Sequence, residues 1–395
     1  MALQRRELLA TGLLALSGCS ALGRTDDSGQ AVNGPARWES YGRTATHRAS
    51  YAAGSVPSRP PETEQSYSLQ GSVATSPVAA ENRLVVGDEA GVRLVPFEEG
   101  AFARQIETAS AVAATPCLDG ETVYVPTEGR QDETDTARVS AMTESEGTLW
   151  ETPLSADSVT MPALGDDTVF VRSAEAYLAL DADSGEVRWR NTDADRMPKD
   201  SFLEFENVGP AVGDGVVVFP DATGITAVDP TNGNIIWRQT LQKVRSCPVI
   251  VDETVYVSDV RSGVYAFDAG IGTEKWRWPA TGCWSPPAVA HDRVYVTDPD
   301  DIIALDASTG DVAWRMGEHG LHGSVHSGIS VVGDAVLASS RGFGLASVRT
   351  EASDGDAGTI AWSLAGDGFN TPIAVGDRLA FVDYAEDEPS LRVFQ

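Results

Sequence analysis

Short β-branched runs recur along the chain, each closed off by turn residues. Val123-Tyr124-Val125, Val169-Phe170-Val171, Val216-Val217-Val218, Val255-Tyr256-Val257 and Val294-Tyr295-Val296 all read as buried strands. A Pro precedes most of the units, as in Thr115-Pro116, Met161-Pro162, Gly209-Pro210, Cys247-Pro248, Pro286-Pro287 and Thr371-Pro372. A second apolar strand follows and ends in an acidic turn. No apolar run reaches the roughly 18 residues that a spanning helix needs. The pattern is that of short antiparallel strands throughout.

The turns share one register. Leu180-Asp181 leads to Gly185 and Trp189, Val228-Asp229 to Gly233 and Trp237, Phe267-Asp268 to Gly272 and Trp276, and Leu305-Asp306 to Gly310 and Trp314. Gly358 to Trp362 keeps the second half of this spacing, and Gly147 to Trp150 keeps it one residue short. Self-similarity at about 38–48 residues, with four short strands per unit, is the period of a propeller blade. Each type of residue has a physical task. The Asp can accept hydrogen bonds from turn amides two residues on. The Gly supplies a left-handed backbone position in a bulged hairpin. The Trp opens the outermost strand and can seal the wedge between neighbouring blades. These residues therefore read as structural, not catalytic. Units begin near Ser72, Ala109, Ser155, Phe202, Lys243, Gly282, Gly323 and Ala365. The last stops after its third strand, Leu391–Gln395. Gln65–Leu69 parallels Ile360–Leu364, with Tyr67 in the Trp place. The expectation is an all-β, eight-bladed propeller whose N-terminal segment supplies the fourth strand of the last blade, leaving no exposed edge.

Ahead of the repeats lies an address. Arg5-Arg6, an apolar stretch to Leu16, and Leu16-Ser17-Gly18-Cys19 have the order of a signal peptide, too short to span a membrane. The paired arginines resemble a twin-arginine export signal. The motif ending in Cys19 resembles a lipobox, in which that Cys is lipidated. The expected organisation is a signal peptide at 1–18, a Gly/Ser/Asp-rich flexible tether at 19–36, and a propeller at 37–395. The expected place is the outer face of the cell membrane, lipid-anchored and monomeric, with a protein partner at the surface.

Composition sharpens this picture. The chain has 395 residues, with 29 Lys+Arg against 58 Asp+Glu and a net charge of −29. A nucleic-acid binder needs a basic stripe to neutralise phosphates, so nucleic acid is excluded as a partner class. Lys199, Lys243 and Lys275 are the only lysines. A Lys-poor, Asp/Glu-rich surface suits proteins working in molar salt, where the Debye length falls to about 3 Å and self-repulsion costs little. It points to a haloarchaeal source.

The spacing Leu-Asp-Ala-x-Thr/Ser-Gly-x-x-x-Trp after Val-Tyr-Val resembles the pyrroloquinoline-quinone-type propeller repeat. The resemblance covers about residues 65–395 and is strongest from Pro162 to Trp314. It implies one of two branches. One comprises calcium-dependent quinoprotein alcohol dehydrogenases. The other comprises non-enzymatic eight-bladed scaffolds, such as the lipoprotein of the bacterial outer-membrane β-barrel assembly machine. The cell type inferred here has no such outer membrane, so that task does not transfer with the fold. The dehydrogenase branch implies a vicinal Cys-Cys pair over its quinone. Cys19, Cys117, Cys247 and Cys283 are not adjacent. The leading expectation is a non-catalytic scaffold with no cofactor. The alternative is an oxidoreductase using pyrroloquinoline quinone and calcium.

Three smaller features complete the reading. His319, His322 and His326 cluster before the inner strand of blade seven, with Glu318 beside them; imidazoles at this spacing suit Zn, Cu or Ni, and a polar Gly-rich loop is the plainer account. Cys247 and Cys283 precede inner strands of adjacent blades, and in an oxidising exterior they could form a disulfide. Trp284, with Phe202 and Phe205 in the insertion Met197–Asn207, lies off the docking register and could rim a partner-binding patch. No phosphate loop, nucleophile elbow, His-Glu-x-x-His or Cys-x-x-Cys motif occurs.

Overall fold

The computed structural model describes residues 39–395, apart from 41, 52–54, 62, 72–74, 81, 98–101, 130–135, 196–207, 222, 300, 317–327, 341–343, 351–356, 369, 377 and 387. The described strands form eight antiparallel sheets arranged as a ring. Seven meanders follow one another in sequence, running from the innermost strand to the outermost. Blade three is typical, with strands Ala163–Gly165, Thr168–Arg172, Tyr177–Asp181 and Val187–Asn191. The innermost strands are three or four residues long and almost wholly buried, as in Ala211–Gly213, Val249–Val251 and Ala288–Ala290. They bring adjacent blades together at the axis, where space is least. The outer strands alternate buried and exposed positions, as the widening wedge between blades requires.

Blade eight is assembled from both ends of the chain. Its inner three strands are Ile373–Val375, Arg378–Asp383 and Ser390–Phe394. Its outer strand is Thr63–Ser68, with Tyr67 opposite Leu391 and Ser68 opposite Ser390. The closure expected from Gln65–Leu69 is therefore present, shifted slightly toward the N-terminus.

The core is a ring of apolar seams between blades, not one central nucleus. Val78, Val85 and Leu94 of blade one meet Leu118, Val123 and Val125 of blade two. Phe170 and Tyr177 of blade three meet Val217 and Phe219 of blade four. The seam that completes the circle joins Leu84 and Val86 of blade one to Val382 and Leu391 of blade eight. Thr371 N also donates to Ser76 Oγ at 3.2 Å across that seam.

One element was not foreseen. The segment from residue 39 to 51, apart from 41, runs past the inner strands and ends in a short strand, Ser50–Tyr51, parallel to the inner strand Ile329–Val332. Backbone carbonyls of Glu39, Ala45, Thr46, Arg48 and Ala49 accept from the amides of Leu118, Val212, Ile250, Val289 and Val331, at 2.7 to 2.9 Å. These amides belong to blades two, four, five, six and seven. A single strap thus ties five of the eight blades together at the axis. The strap turns tightly, with Arg43, His47 and Ala49 at positive φ. Residues on its far side reach the rim, where Trp362 Nε1 donates to Pro57 O at 2.6 Å.

Antiparallel meanders of this kind have two distinct faces. The hairpins joining the first to the second strand, and the third to the fourth, lie on one face, called here the turn face. The second-to-third hairpins and the links between blades lie on the other, the connection face.

Candidate functional site

On the turn face, the repeated Asp, Gly and Trp form a clamp between blades. Asp181 Oδ1 accepts from the amides of Asp183 and Ser184 at 3.2 and 2.9 Å. Asp229, Asp268 and Asp306 accept in the same way from Thr231, from Gly270 and Ile271, and from Ser308 and Thr309. Hydrogen bonds from Arg188 and Ser184 hold the Asp181 carboxyl below its ordinary value. The indole of each Trp then reaches the next blade's turn. Nε1 of Trp150, Trp189, Trp237, Trp276 and Trp314 donates to the carbonyls of Ala182, Pro230, Ala269, Ala307 and Thr350, at 2.8 to 2.9 Å. The turn glycines make room for these rings. A Cβ on Gly185 would lie 2.5 Å from Trp150, one on Gly233 2.5 Å from Trp189, one on Gly272 2.6 Å from Trp237, and one on Gly310 2.6 Å from Trp276. The Asp and Gly of one repeat therefore serve the Trp of the preceding repeat. That pairing is invisible within any single copy.

On the connection face, a second set of aspartates does a job that the sequence reading missed. Asp259, at the end of the second strand of blade five, is wholly buried. Its Oδ2 accepts from the amides of Gln242 and Lys243, both at 2.7 Å, and its Oδ1 from those of Arg261 and Ser262 at 2.8 and 2.9 Å. Burial alone would raise its pKa; the hydrogen bonds more than reverse this and hold the carboxyl below its ordinary value. Asp88 and Asp383 staple blades one and eight similarly, through Gln70, Ala90 and Gly91 and through Asp367 and Ala385. Blade four departs from this pattern. There Asp221 faces blade three, pairs with the fully buried Arg172 at 2.9 Å and accepts from Tyr177 Oη at 2.6 Å. The recurring signal was an Asp at the end of the second strand, overshadowed by the longer Asp–Gly–Trp spacing.

The other expected sites fare differently. Cys247 and Cys283 are not joined by a disulfide, and Cys117, Cys247 and Cys283 are all buried thiols. Cys247 packs with Ala114 and Met161, and its Sγ accepts from Gly209 N at 3.2 Å, toward blade four. Cys283 packs in the seam between blades five and six with Val251 and Val289. Adjacent blades therefore do not place the two sulfurs face to face. Burial pushes the Cys283 thiol up to about 12 and those of Cys117 and Cys247 higher still, so none is a ready nucleophile. His319, His322 and His326 lie outside the described residues, as do Phe202, Phe205, Cys19, Arg5 and Arg6. Trp284 is half-buried on the connection face, with the Lys243 ammonium 5.2 Å from its ring centre.

The axis holds one titratable side chain in an unusual setting. His47, in the strap, is 1% exposed. Burial lowers its pKa from 6.5 to about 4, opposed by the Pro248 backbone, so the ring is neutral at physiological pH.

An eight-bladed ring of four-stranded sheets, clamped by Asp–Gly–Trp turns, defines a propeller of the pyrroloquinoline-quinone repeat class. The chain belongs to the family of the outer membrane protein assembly factor BamB, whose model matches residues 102–316, more than half of its length. No curated protein sequence matches it. Among solved structures it is similar to BamB from Moraxella catarrhalis, with TM-score 0.66 and 16% identity over 85% of this chain and 99% of that one. It is also similar to the quinohemoprotein alcohol dehydrogenase of Comamonas testosteroni, with TM-score 0.72 and 11% identity over 92% of this chain and 81% of that one. A europium-containing methanol dehydrogenase gives TM-score 0.71 and 10% identity, over 92% of this chain and 98% of that one. At these identities the likeness is one of fold.

Proposed function

We propose that this propeller is a non-catalytic protein-binding scaffold, held by a lipid on Cys19 at the outer face of the cell membrane after export through the Arg5-Arg6 signal. The observation that carries this reading is the strap. It ties the inner strands of five blades together through the chain's own backbone, which makes the ring one stiff platform whose two loop faces stay available to a partner. Membership of the BamB family supports a role in assembling proteins. A rigid ring loses little conformational freedom on binding, so surface contacts convert more fully into affinity.

Cross-linking on intact cells, followed by mass spectrometry, tests this reading. The expected result is one reproducible partner linked through connection-face residues, together with release of the protein into the medium by Cys19→Ser. Absence of any partner would overturn it.

Likeness of fold to quinoprotein dehydrogenases favours one other reading, an oxidoreductase using pyrroloquinoline quinone with calcium. The cysteine set does not fit the covering Cys-Cys pair implied by that branch. Cys117, Cys247 and Cys283 are buried in three separate packing clusters. Turnover of an artificial electron acceptor by the full chain with added quinone and calcium would establish the enzyme in spite of this; absence of turnover is the expected outcome.

A further inference from the structure

Blade five separates its charges by face. Asp252, Glu253, Asp268 and Glu274 lie at the turn face, at or beside the hairpins between Val249–Val251 and Thr254–Asp259 and between Gly263–Asp268 and Glu274–Trp278. Lys275 belongs with them, donating to Glu253 O at 2.9 Å. The opposite end of the blade is basic. Lys243 and Arg245 lie on the link from blade four, Arg261 on the second-to-third hairpin, and Arg277 near the end of the outer strand. In a chain with twice as many acidic as basic residues, this is a local reversal of sign.

The reversal is built into the fold. The Asp259 carboxylate binds the backbone amides of both Lys243 and Arg261, so these two cationic side chains start from adjacent points. Lys243 O in turn accepts from Val260 N at 2.9 Å. The Arg277 guanidinium donates to Ser262 O at 3.0 and 3.2 Å and lies 4.9 Å from the centre of the Tyr265 ring. Gly282 N donates to Val260 O at 2.7 Å, bringing the link to blade six alongside, and the Lys243 ammonium stands over Trp284. Among the described residues, the carboxylate inside the cluster is that of Asp259, which is turned inward and accepts from four amides. On the second-to-third hairpin of blade six, Asp298 and Asp301 pair with Arg315 at 3.0 and 3.6 Å. Exposed Arg261 and Arg277 and half-buried Lys243 and Trp284 thus present cations and an indole on one rigid patch.

We infer that this patch, formed by Lys243, Arg261, Arg277 and Trp284, docks an acidic segment of the partner protein. The inference rests on the scaffold reading and names the chemistry that the partner brings. Arginines fork onto carboxylates, and an indole beside a cation gives such a segment an apolar anchor. Elsewhere the net negative charge of the molecule repels an acidic ligand, so the patch also fixes where such a segment lands.

The test uses the full chain and a fluorescein-labelled oligoglutamate peptide, with an oligoserine peptide of equal length as reference, read by fluorescence anisotropy at low and high salt. The expected result is binding of oligoglutamate only, weakened by salt. Lys243→Glu and Arg261→Glu should each weaken it about tenfold, with unchanged circular dichroism, while Lys275→Glu on the turn face leaves it intact. Equal binding of both peptides, or equal loss in the Lys275→Glu chain, would overturn the inference. So would Arg261-dependent binding to phosphatidylglycerol vesicles without binding to the peptide, since that assigns the patch to a lipid surface. In cells, an Arg261→Glu chain that still cross-links to its partner removes the patch and leaves the scaffold reading standing. Loss of every partner from the unsubstituted chain removes the scaffold reading itself.

Discussion

At the scale of single residues, the clamp makes quantitative demands. Gly233 and Gly215 have nearly the same backbone conformation, φ +72 and +77, but a Cβ on Gly233 would strike the Trp189 ring, whereas Gly215 has open space. Gly215→Ala should cost about 1 kcal/mol, the price of a left-handed position. Gly233→Ala should cost about 2 kcal/mol more, because an overpacked ring must move. Urea denaturation of the two variants measures the difference directly. His47 makes a prediction in pH. Its folded value, about 4, lies below its unfolded value of 6.5, so the folded state binds fewer protons. The stability contributed by the neutral ring is complete above pH 6.5 and is lost progressively as pH falls toward 4, by about 3 kcal/mol in all. Denaturation at pH 7 and 4.5 should show that His47→Gln flattens this slope. The lowered carboxyls of Asp229, Asp259 and Asp306 act in a separate window, since their stabilisation is lost only as pH falls below about 3.8. The buried thiols predict that reductant leaves the melting temperature unchanged; a reductant-dependent shift would show a bridge.

At the scale of elements, the blades were legible and the strap was not. Trp189, Trp237, Trp276 and Trp314 stand at a fixed distance from Asp and Gly, and repetition makes such spacing readable. Even Gln65–Leu69 could be placed, since its alternation matches the outer strand that the last blade lacks. Residues 39–51 occur once, follow neither strand nor helix periodicity, and hold on through backbone carbonyls. No side-chain pattern records such bonds. The cation cluster was equally hidden, because Lys243, Arg261 and Arg277 come from three separate stretches brought together by bonds to Asp259, Val260 and Ser262. The disulfide expectation failed for a related reason: blade number gives adjacency, whereas the sulfurs' directions depend on packing inside each seam. The two N-terminal elements are separable by truncation. Removing residues 1–51 takes away the strap and leaves the outer strand of blade eight, so a folded monomer with a lower melting temperature is expected. Removing residues 1–68 also bares the edge of Ser390–Phe394, and size-exclusion chromatography should then show association through that edge.

At the scale of the whole molecule, charge and connectivity dominate. A net charge of −29 on a closed ring repels itself, and salt screens that repulsion. The melting temperature should therefore rise steeply between dilute and molar KCl, by more than that of a neutral propeller measured alongside. The basic patch on blade five gives the opposite dependence for partner docking, so stability and binding should respond to salt with opposite signs. Propellers of one shape serve dehydrogenases and assembly factors alike, which is why the ring alone does not decide the task. Closure of the ring has one more consequence, and it concerns time. The strand that completes blade eight leaves the ribosome long before its partner, Ser390–Phe394, because translation runs from N- to C-terminus. The bond from Trp362 to Pro57 likewise spans 305 positions. A nascent chain must keep Thr63–Ser68 waiting, without its ladder partner, until Ser390–Phe394 has been made. Such distant pairings slow folding, so ring closure comes late, after all the other blades have been synthesised.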